Sequence, residues 1–509
     1  MKKLCFVLLV LFFSFSMRIT PVMSSDQSTE IEQLKKEMQR LTEEQQLLKK
    51  KIEELEKIQV RSETKTIETE KKVVEEEKKG IQAGYDKGFY IKTPDENFLM
   101  KTNLFLQFRY TYLHFDRVVN VNNEDWSSFL IRRARVLFTG NAPNKDLTYF
   151  FHIQLEPTSA VNLHDAYITW KKYPYAQVQF GRAKLPYGLH FWQSASQLNG
   201  VERSIFSGET DVDGKSDTRK WPGGNANFPV SDEDSVTKFP IGGLNLFRSQ
   251  GVHLQGDIDL FGQNGFLQYW AGVYNGRNTK GGINIDSTPL WVGRISVNPF
   301  GKYNLLQQGD IDYSKTPKVC FLLSSFQNTD RLSEFRSSKT IGSDGKGQTV
   351  KVDPYGIKGS GYDLATLFRY RGFSADVEYG YDRLEQEREG GDTWDRFAYR
   401  FDTGYFIIPR KFEVVARYAY VERVDDNTVE KSLASGLGLV SVNGGTNNAV
   451  EDNLREYTVG LNYYFYGHSL KIFVDYSYLT REFIKVPGAT VFAEDQHDNR
   501  YRAMMQFYF

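Results

Sequence analysis

The chain has 509 residues, with 64 Lys plus Arg against 64 Asp plus Glu, so bulk charge gives no argument for a nucleic-acid partner. Aromatic residues reach 15%, glycine is frequent at 42 and proline sparse at 15, while mean hydropathy is −0.49. Beyond the first stretch no segment approaches the ~20 consecutive apolar residues of a spanning helix, which leaves a membrane β-barrel open, because its alternating strands average an apolar face against a polar one.

The first element in chain order is a secretory signal at 1–24. Lys2 and Lys3 are its basic start, Leu4 to Phe15 its apolar core, and Val22-Met23-Ser24 precede a cut before Ser25. Cys5 lies inside the signal, at the wrong place for a lipoprotein cysteine. Cys320 is then the sole mature cysteine, so neither an internal disulfide nor a cysteine metal site is available. Residues 31–59 follow a heptad. Ile31, Met38, Gln45, Ile52 and Gln59 occupy a, and Leu34, Leu41, Leu48 and Leu55 occupy d. That spacing predicts a coiled coil, with a lone amphipathic helix as the alternative. Residues 60–80 lose the seam and read as a solvated helix or spacer, and Gly80, Gly84 and Gly88 mark a domain boundary. The division expected is signal peptide 1–24, periplasmic coiled coil and spacer 25–80, and barrel domain 81–509.

From about residue 100 the period becomes two. Sixteen strands are predicted, at 104–114, 130–139, 147–156, 162–171, 175–184, 252–260, 266–274, 290–298, 318–327, 361–370, 373–382, 397–407, 412–421, 457–465, 470–478 and 501–509. The last is the most telling. Tyr501, Ala503, Met505, Phe507 and Phe509 share one face, and Arg502, Gln506 and Tyr508 the other, with Met504 among them. A strand of this kind ending in Phe looks like the closing strand of a bacterial outer-membrane barrel, with one face toward lipid and one toward water. Connections alternate between short (141–146, 171–174, 261–264, 371–372, 409–410, 466–468) and long (116–128, 185–249, 275–288, 328–359, 383–393, 424–452, 482–497). Tight periplasmic turns and longer outside loops account for this, which places both termini in the periplasm. Two connections fit poorly: 157–160 is short for an outside loop, and 299–315 is long for a periplasmic link. The fold expected is all-β, a sixteen-stranded antiparallel transmembrane barrel preceded by an α-helical coiled coil. A soluble β-sandwich is the alternative, but its inward faces would be mainly Val, Ile and Leu. Here Tyr and Phe gather toward strand ends, as an interfacial girdle requires.

Strand parity places Gln107, Arg109, Arg133, Arg135, Lys171, Arg294, Arg369, Arg400, Arg417, Lys471 and Arg502 in the lumen. It also places Glu156, Asp165, Asp257, Asp259, Asp376, Glu378, Asp402, Glu456 and Asp475 there. The two signs nearly balance, so parity does not assign selectivity. Arg133 and Arg135, with Arg109 on the preceding strand, form a candidate basic patch for anions. The third long loop, 185–249, carries the apolar runs Leu185-Pro186-Tyr187-Gly188-Leu189 and Phe191-Trp192. Folding into the barrel would bury them, narrow the pore and bring Arg203, Lys215, Arg219 or Lys220 near the path. An exposed loop is the alternative. His152, His164, His253 and His468 have no nucleophile motif beside them, so no enzyme, cofactor or metal is expected.

Three stretches carry a family resemblance: Ile131-Arg132-Arg133-Ala134-Arg135-Val136-Leu137-Phe138-Thr139-Gly140, Asp165-Ala166-Tyr167-Ile168-Thr169-Trp170, and Gln179-Phe180-Gly181-Arg182-Ala183-Lys184-Leu185-Pro186-Tyr187-Gly188, followed by Val201-Glu202-Arg203-Ser204. In order and spacing over about 90–210 they resemble the phosphate-selective porin O and P family. The resemblance implies a sixteen-stranded, usually trimeric outer-membrane porin whose third loop lines the constriction. It also implies basic pore residues that in some members select phosphate or polyphosphate. Arg133, Arg135 and Arg203 carry over by position, and Arg109 and Lys471 join them as pore-lining, anion-binding candidates. The partners expected are outer-membrane lipid, small ions and solutes including phosphate, and two further copies of the chain. The alternative function is a structural barrel tethered to the cell wall through its coiled coil.

Overall fold

Sixteen amphipathic strands with one apolar face each have a single way to leave no edge unpaired, which is to close on themselves. The structure, a computed structural model, describes residues 32, 35–44, 46–59, 80–114, 125–156, 161–207, 246–276, 287–330, 339–341, 347–349, 357–386, 393–422, 439–440, 449–485 and 495–509. The expected signal peptide, the spacer 60–79, Ile31, Leu34, Gln45, the connection 157–160, and Lys215, Arg219 and Lys220 lie outside the described residues. The chain divides into two units at Gly80 and Ile81.

In the first unit residues 35–44 and 46–59 are helical. Met38, Leu41, Leu48, Ile52 and Leu55 all stand exposed along it.

In the second unit the barrel strands are β1 Leu99–His114, β2 Trp126–Asn141, β3 Leu147–Gln154, β4 Asn162–Tyr173, β5 Ala176–Lys184, β6 Arg248–Leu260, β7 Gln263–Asn275 and β8 Pro289–Val297. They continue as β9 Lys318–Asp330, β10 Ile357–Tyr370, β11 Phe373–Gln386, β12 Thr393–Ile408, β13 Phe412–Glu422, β14 Ala449–Tyr464, β15 Leu470–Lys485 and β16 Gln496–Tyr508. Among the described residues these sixteen form one closed antiparallel barrel, each strand paired with its chain neighbour. β16 returns to β1 with Asn499 opposite His114 and Tyr508 opposite Phe105. A small hairpin, Gln82–Tyr85 with Phe89–Lys92, pairs onto the start of β1. All sixteen expected strands are present. Several run longer at the long-loop end, as β12, β14 and β15 do. The ladder continues there past the alternating stretch, and the added residues include neighbours buried in succession, Asn453 with Leu454 on β14 and Leu479 with Thr480 on β15, so a period of two no longer marks the strand.

Alternation positions the side chains. On β15, Lys471, Phe473, Asp475, Ser477 and Leu479 are buried inside, while Ile472, Val474 and Tyr478 are exposed outside. An aromatic belt runs over neighbouring strands on the outer face. Tyr399 of β12 lies 5.9 Å from Tyr418 of β13, Tyr418 lies 4.9 Å from Tyr457 of β14, and Tyr476 of β15 lies 5.0 Å from Tyr501 of β16. Such belts mark the membrane–water boundary. Short turns use local backbone chemistry: Arg371 and Gly372 both have positive φ, 48° and 84°, as a two-residue hairpin demands.

The long link 298–317 between β8 and β9 folds inward at the short-turn end. Its Tyr303 and Leu305 pack with Leu189, Trp270, Cys320, Leu322 and Leu367 inside the barrel. Asp310, fully buried, accepts hydrogen bonds from the backbone N–H groups of Ser314 (2.9 and 3.1 Å) and Gly372 (2.7 Å). The length that is anomalous for a turn is what lets the link reach into the lumen.

Candidate pore constriction

The third loop leaves β5 at Leu185 and turns into the lumen. Gly188, at φ 63°, redirects the chain, and the single helical turn Leu189–Trp192 follows. Leu185, Tyr187 and Phe191 are buried with Phe247 against Tyr274, Val292 and Phe326 of β7, β8 and β9. Ile205 and Phe206 pack against Leu113, Ala419, Leu454 and Leu479, and Val201 against Phe473 and Met504. This explains the apolar intruders on otherwise polar lumen faces, Met504 among them: they seat the loop.

Polar anchors hold the loop's backbone. Glu378 of β11 accepts from the N–H of Leu189 at 2.6 Å, and Arg294 of β8 donates to the Gly188 carbonyl at 3.1 Å. Lys471 of β15 donates to Leu198 O (2.8 Å), Gln506 of β16 to Ser196 O (2.9 Å), and Arg417 of β13 to Glu202 O (2.9 Å). Glu456 of β14 accepts from Ile205 N at 2.8 Å. The inward link joins the loop, through Ser194 N to Leu306 O (2.8 Å) and Gln308 N to Gln197 O (3.0 Å).

The central pin is Glu202. Its carboxylate accepts from Arg109 at 3.1 Å, Arg132 at 2.6 Å, and Arg133 at 2.8 and 3.1 Å. Burial pushes this carboxyl up, but Arg132, Arg133 and Arg109 outweigh it and hold it below the ordinary carboxylate range. Three guanidinium groups thus share one ionised loop carboxylate.

The five candidate residues are all inside the barrel and nearly fully buried: Arg109 2%, Arg133 1%, Arg135 3%, Arg203 4% and Lys471 0% exposed. The structure brings Arg109 and Arg133 together on Glu202. It places Arg135 apart from them, on Glu156 at 2.6 Å and beside His164 at 3.2 Å. Arg203 donates to the carbonyls of His190 (2.9 Å) and Gln193 (2.8 Å). Other expected lumen charges pair across the wall: Arg400 with Glu378 and Asp402, Arg417 with Asp402, and Arg502 with both oxygens of Asp475 (2.7 and 2.9 Å). Lys171 and Asp259 lie exposed at strand ends, away from this network.

Strict parity missed Arg132. Gln107 of β1 pairs with Arg133, but Phe108 pairs with Ile131, so Arg132 is the extra residue of a β-bulge and turns inward. The signal was present, since an arginine on the lipid face costs ~2–4 kcal/mol at mid-depth, and Arg132 in plain alternation would sit there. Glu202, Arg248 and Arg500 also carry contacts that periodicity did not assign. His152, His164 and Asp165 gather their ligand atoms within 4.8 Å. Arg248 already takes both Asp165 oxygens, and Arg135 meets His164, so the donor set suits a hydrogen-bond network better than a divalent cation.

The model of the family described as phosphate-selective porin O and P matches residues 103–235 and 345–509. No curated protein matches the chain in sequence. Among solved structures, the anion-selective porin from Comamonas acidovorans is similar at 10% identity, covering 81% of this chain and 99% of that one with a TM-score of 0.47. The outer membrane channel DcaP of Acinetobacter baumannii gives 11%, 81%, 97% and 0.46 in the same order. OmpT of Vibrio cholerae gives 14%, 84%, 100% and 0.44. Likeness at these scores carries no statement about function. The family match, which spans more than half of the residues, does: the chain belongs to the phosphate-selective porin O and P family.

Proposed function

We propose that the protein is a porin that forms a water-filled channel through the bacterial outer membrane for passive diffusion of small hydrophilic solutes and ions. One observation carries this reading. A closed sixteen-stranded barrel with a polar, charged inner face is narrowed by a loop folded within it. On this reading the start of β1 at Leu99 and the C-terminal Phe509 face the periplasm, because both ends of the barrel wall sit with the short turns. Purified full-length protein is expected to give stepwise ohmic conductance in lipid bilayers. A folded, heat-modifiable barrel without conductance would overturn the channel.

The channel has a weak anion preference, with phosphate or another small oxyanion as cargo. Arg109, Arg132 and Arg133 around one carboxylate support it, since guanidinium groups stay charged and match oxyanion geometry. Under a potassium chloride gradient the wild-type reversal potential should report anions, and Arg133→Ala with Arg135→Ala should move it toward cations. A cation-selective wild type ends this assignment and leaves the channel standing.

The helical stretch formed by residues 35–44 and 46–59 serves self-association in a homotrimer. Its exposed Met38, Leu41, Leu48, Ile52 and Leu55 fall on the a and d positions of a heptad. A peptide of residues 26–80 is expected to be helical and to sediment as a trimer. A monomer at high concentration would count against the seam.

A further inference from the structure

Between the third loop and the wall formed by β2–β6 lies a cavity of about 420 Å³. Its lining has two unlike halves. One is charged, with Arg135, Lys184 and Arg248 in the lining set against Asp165, and with Glu156 meeting Arg135 at 2.6 Å. Arg248 donates to both oxygens of Asp165 (2.8 and 3.3 Å), and His152 Nδ1 lies 2.8 Å from the same carboxylate. The Lys184 ammonium donates to the carbonyls of Phe191 (2.7 Å), Trp192 (3.4 Å) and Gln193 (3.0 Å), which keeps the charge at the wall. The other half is apolar. Phe150 stacks on Tyr167 with ring centroids 5.1 Å apart and lies edge-on to His152 at 5.8 Å, so the apolar half adjoins the charged one. Trp192 and Leu137 continue it.

A wall with three cationic groups against two carboxylates attracts anions. The apolar half then decides which anions remain. A small hydrated oxyanion would exchange part of its shell for rings that cannot hydrogen-bond, at a desolvation cost. An anion with an apolar body covers those rings with its own carbon and gains from their burial. We propose that this cavity is a binding station for small organic carboxylates with an apolar body. The carboxylate lies toward Arg135, Lys184 and Arg248, and the body lies against Phe150, Tyr167 and Trp192. The proposal rests on the channel reading above and adds to small oxyanions a second class of solute, held at this station beside the constriction.

Sodium benzoate is the probe, with inorganic phosphate as the polar counterpart and benzyl alcohol as the neutral one. In bilayers holding the full-length protein, benzoate is expected to interrupt the potassium chloride current in brief closures at ~10-fold lower concentration than either counterpart, a difference of affinities that needs both halves of the site. Phe150→Ala should raise the benzoate concentration required by a similar factor, and Arg248→Gln should abolish the closures. If Arg248→Gln does not fold, Phe150→Ala carries the test alone. Equal block by phosphate and benzoate, or an unchanged benzoate response in Phe150→Ala, overturns the proposal. Calorimetric titration of benzoate into the detergent-solubilised full chain separates the two readings. Conductance without benzoate binding removes the station and leaves the channel, whereas binding without conductance removes the channel and supports the site.

Discussion

Glu202→Gln is expected to unpin the central part of the third loop and raise single-channel conductance. The substitution keeps the side chain's shape and removes the one charge on which Arg109, Arg132 and Arg133 converge. Glu202 is only 1% exposed, so the three guanidinium groups would be left close together in a low-dielectric site. Removing one partner of such a buried pair costs ~3–5 kcal/mol. The strand ladders of the wall do not depend on this carboxylate, so the cost falls on the loop's seat and the barrel remains closed. The reversal potential should shift toward anions at the same time, since three cations lose their counter-charge. Unchanged conductance and reversal potential would show that the anchors at Glu378, Glu456 and Lys471 hold the loop without Glu202. The pH dependence follows from the same group. Its folded-state pKa is depressed, so the pin is intact above the ordinary carboxylate range and is lost as pH falls through the lower folded value. Conductance should therefore be flat from neutral pH down to about 4, the ordinary glutamate value, and rise only in stronger acid.

Val474→Arg should be the most damaging single change on the outer wall. Val474 is exposed on β15 between Phe473 and Asp475, which are buried inside. An arginine near the middle of a lipid-facing strand costs ~2–4 kcal/mol, whereas Val474→Leu should be nearly neutral. Outer-membrane levels and urea unfolding of protein folded into vesicles both read this difference. Equal behaviour of the two variants would mean that this face does not meet lipid.

These two residues mark the boundary between what was legible in the amino-acid sequence and what was not. That Val474 faces outward and Asp475 inward was readable directly, because a strand's side-chain period of two is a local property and a one-residue slip would invert every face of β15 at once. The number of strands, their order and the alternation of short and long connections were legible for the same reason. Each depends on neighbours a few positions away and on the turn residues between them, such as Arg371 and Gly372. The apolar entry of the third loop at Leu185 to Trp192 was also visible, since such a run has no place in open water.

The partners of the lumen charges were not legible. Glu202 meets Arg109 and Arg133 from far along the chain, and Lys471 reaches Leu198 across the lumen. Periodicity says only that a side chain points inward; which opposite charge it meets depends on where the closed ring places the loop. The bulge at Arg132 belongs to the same class, because it exists only as a mismatch in register between β1 and β2. So does the link at 299–315, too long for a periplasmic turn, whose length Tyr303 and Leu305 explain by packing inside the barrel. Alternation of the strands determined the wall and its two faces. Tertiary structure alone decided how the lumen is filled, because burial and pairing inside a barrel are relations between residues that only closure brings together.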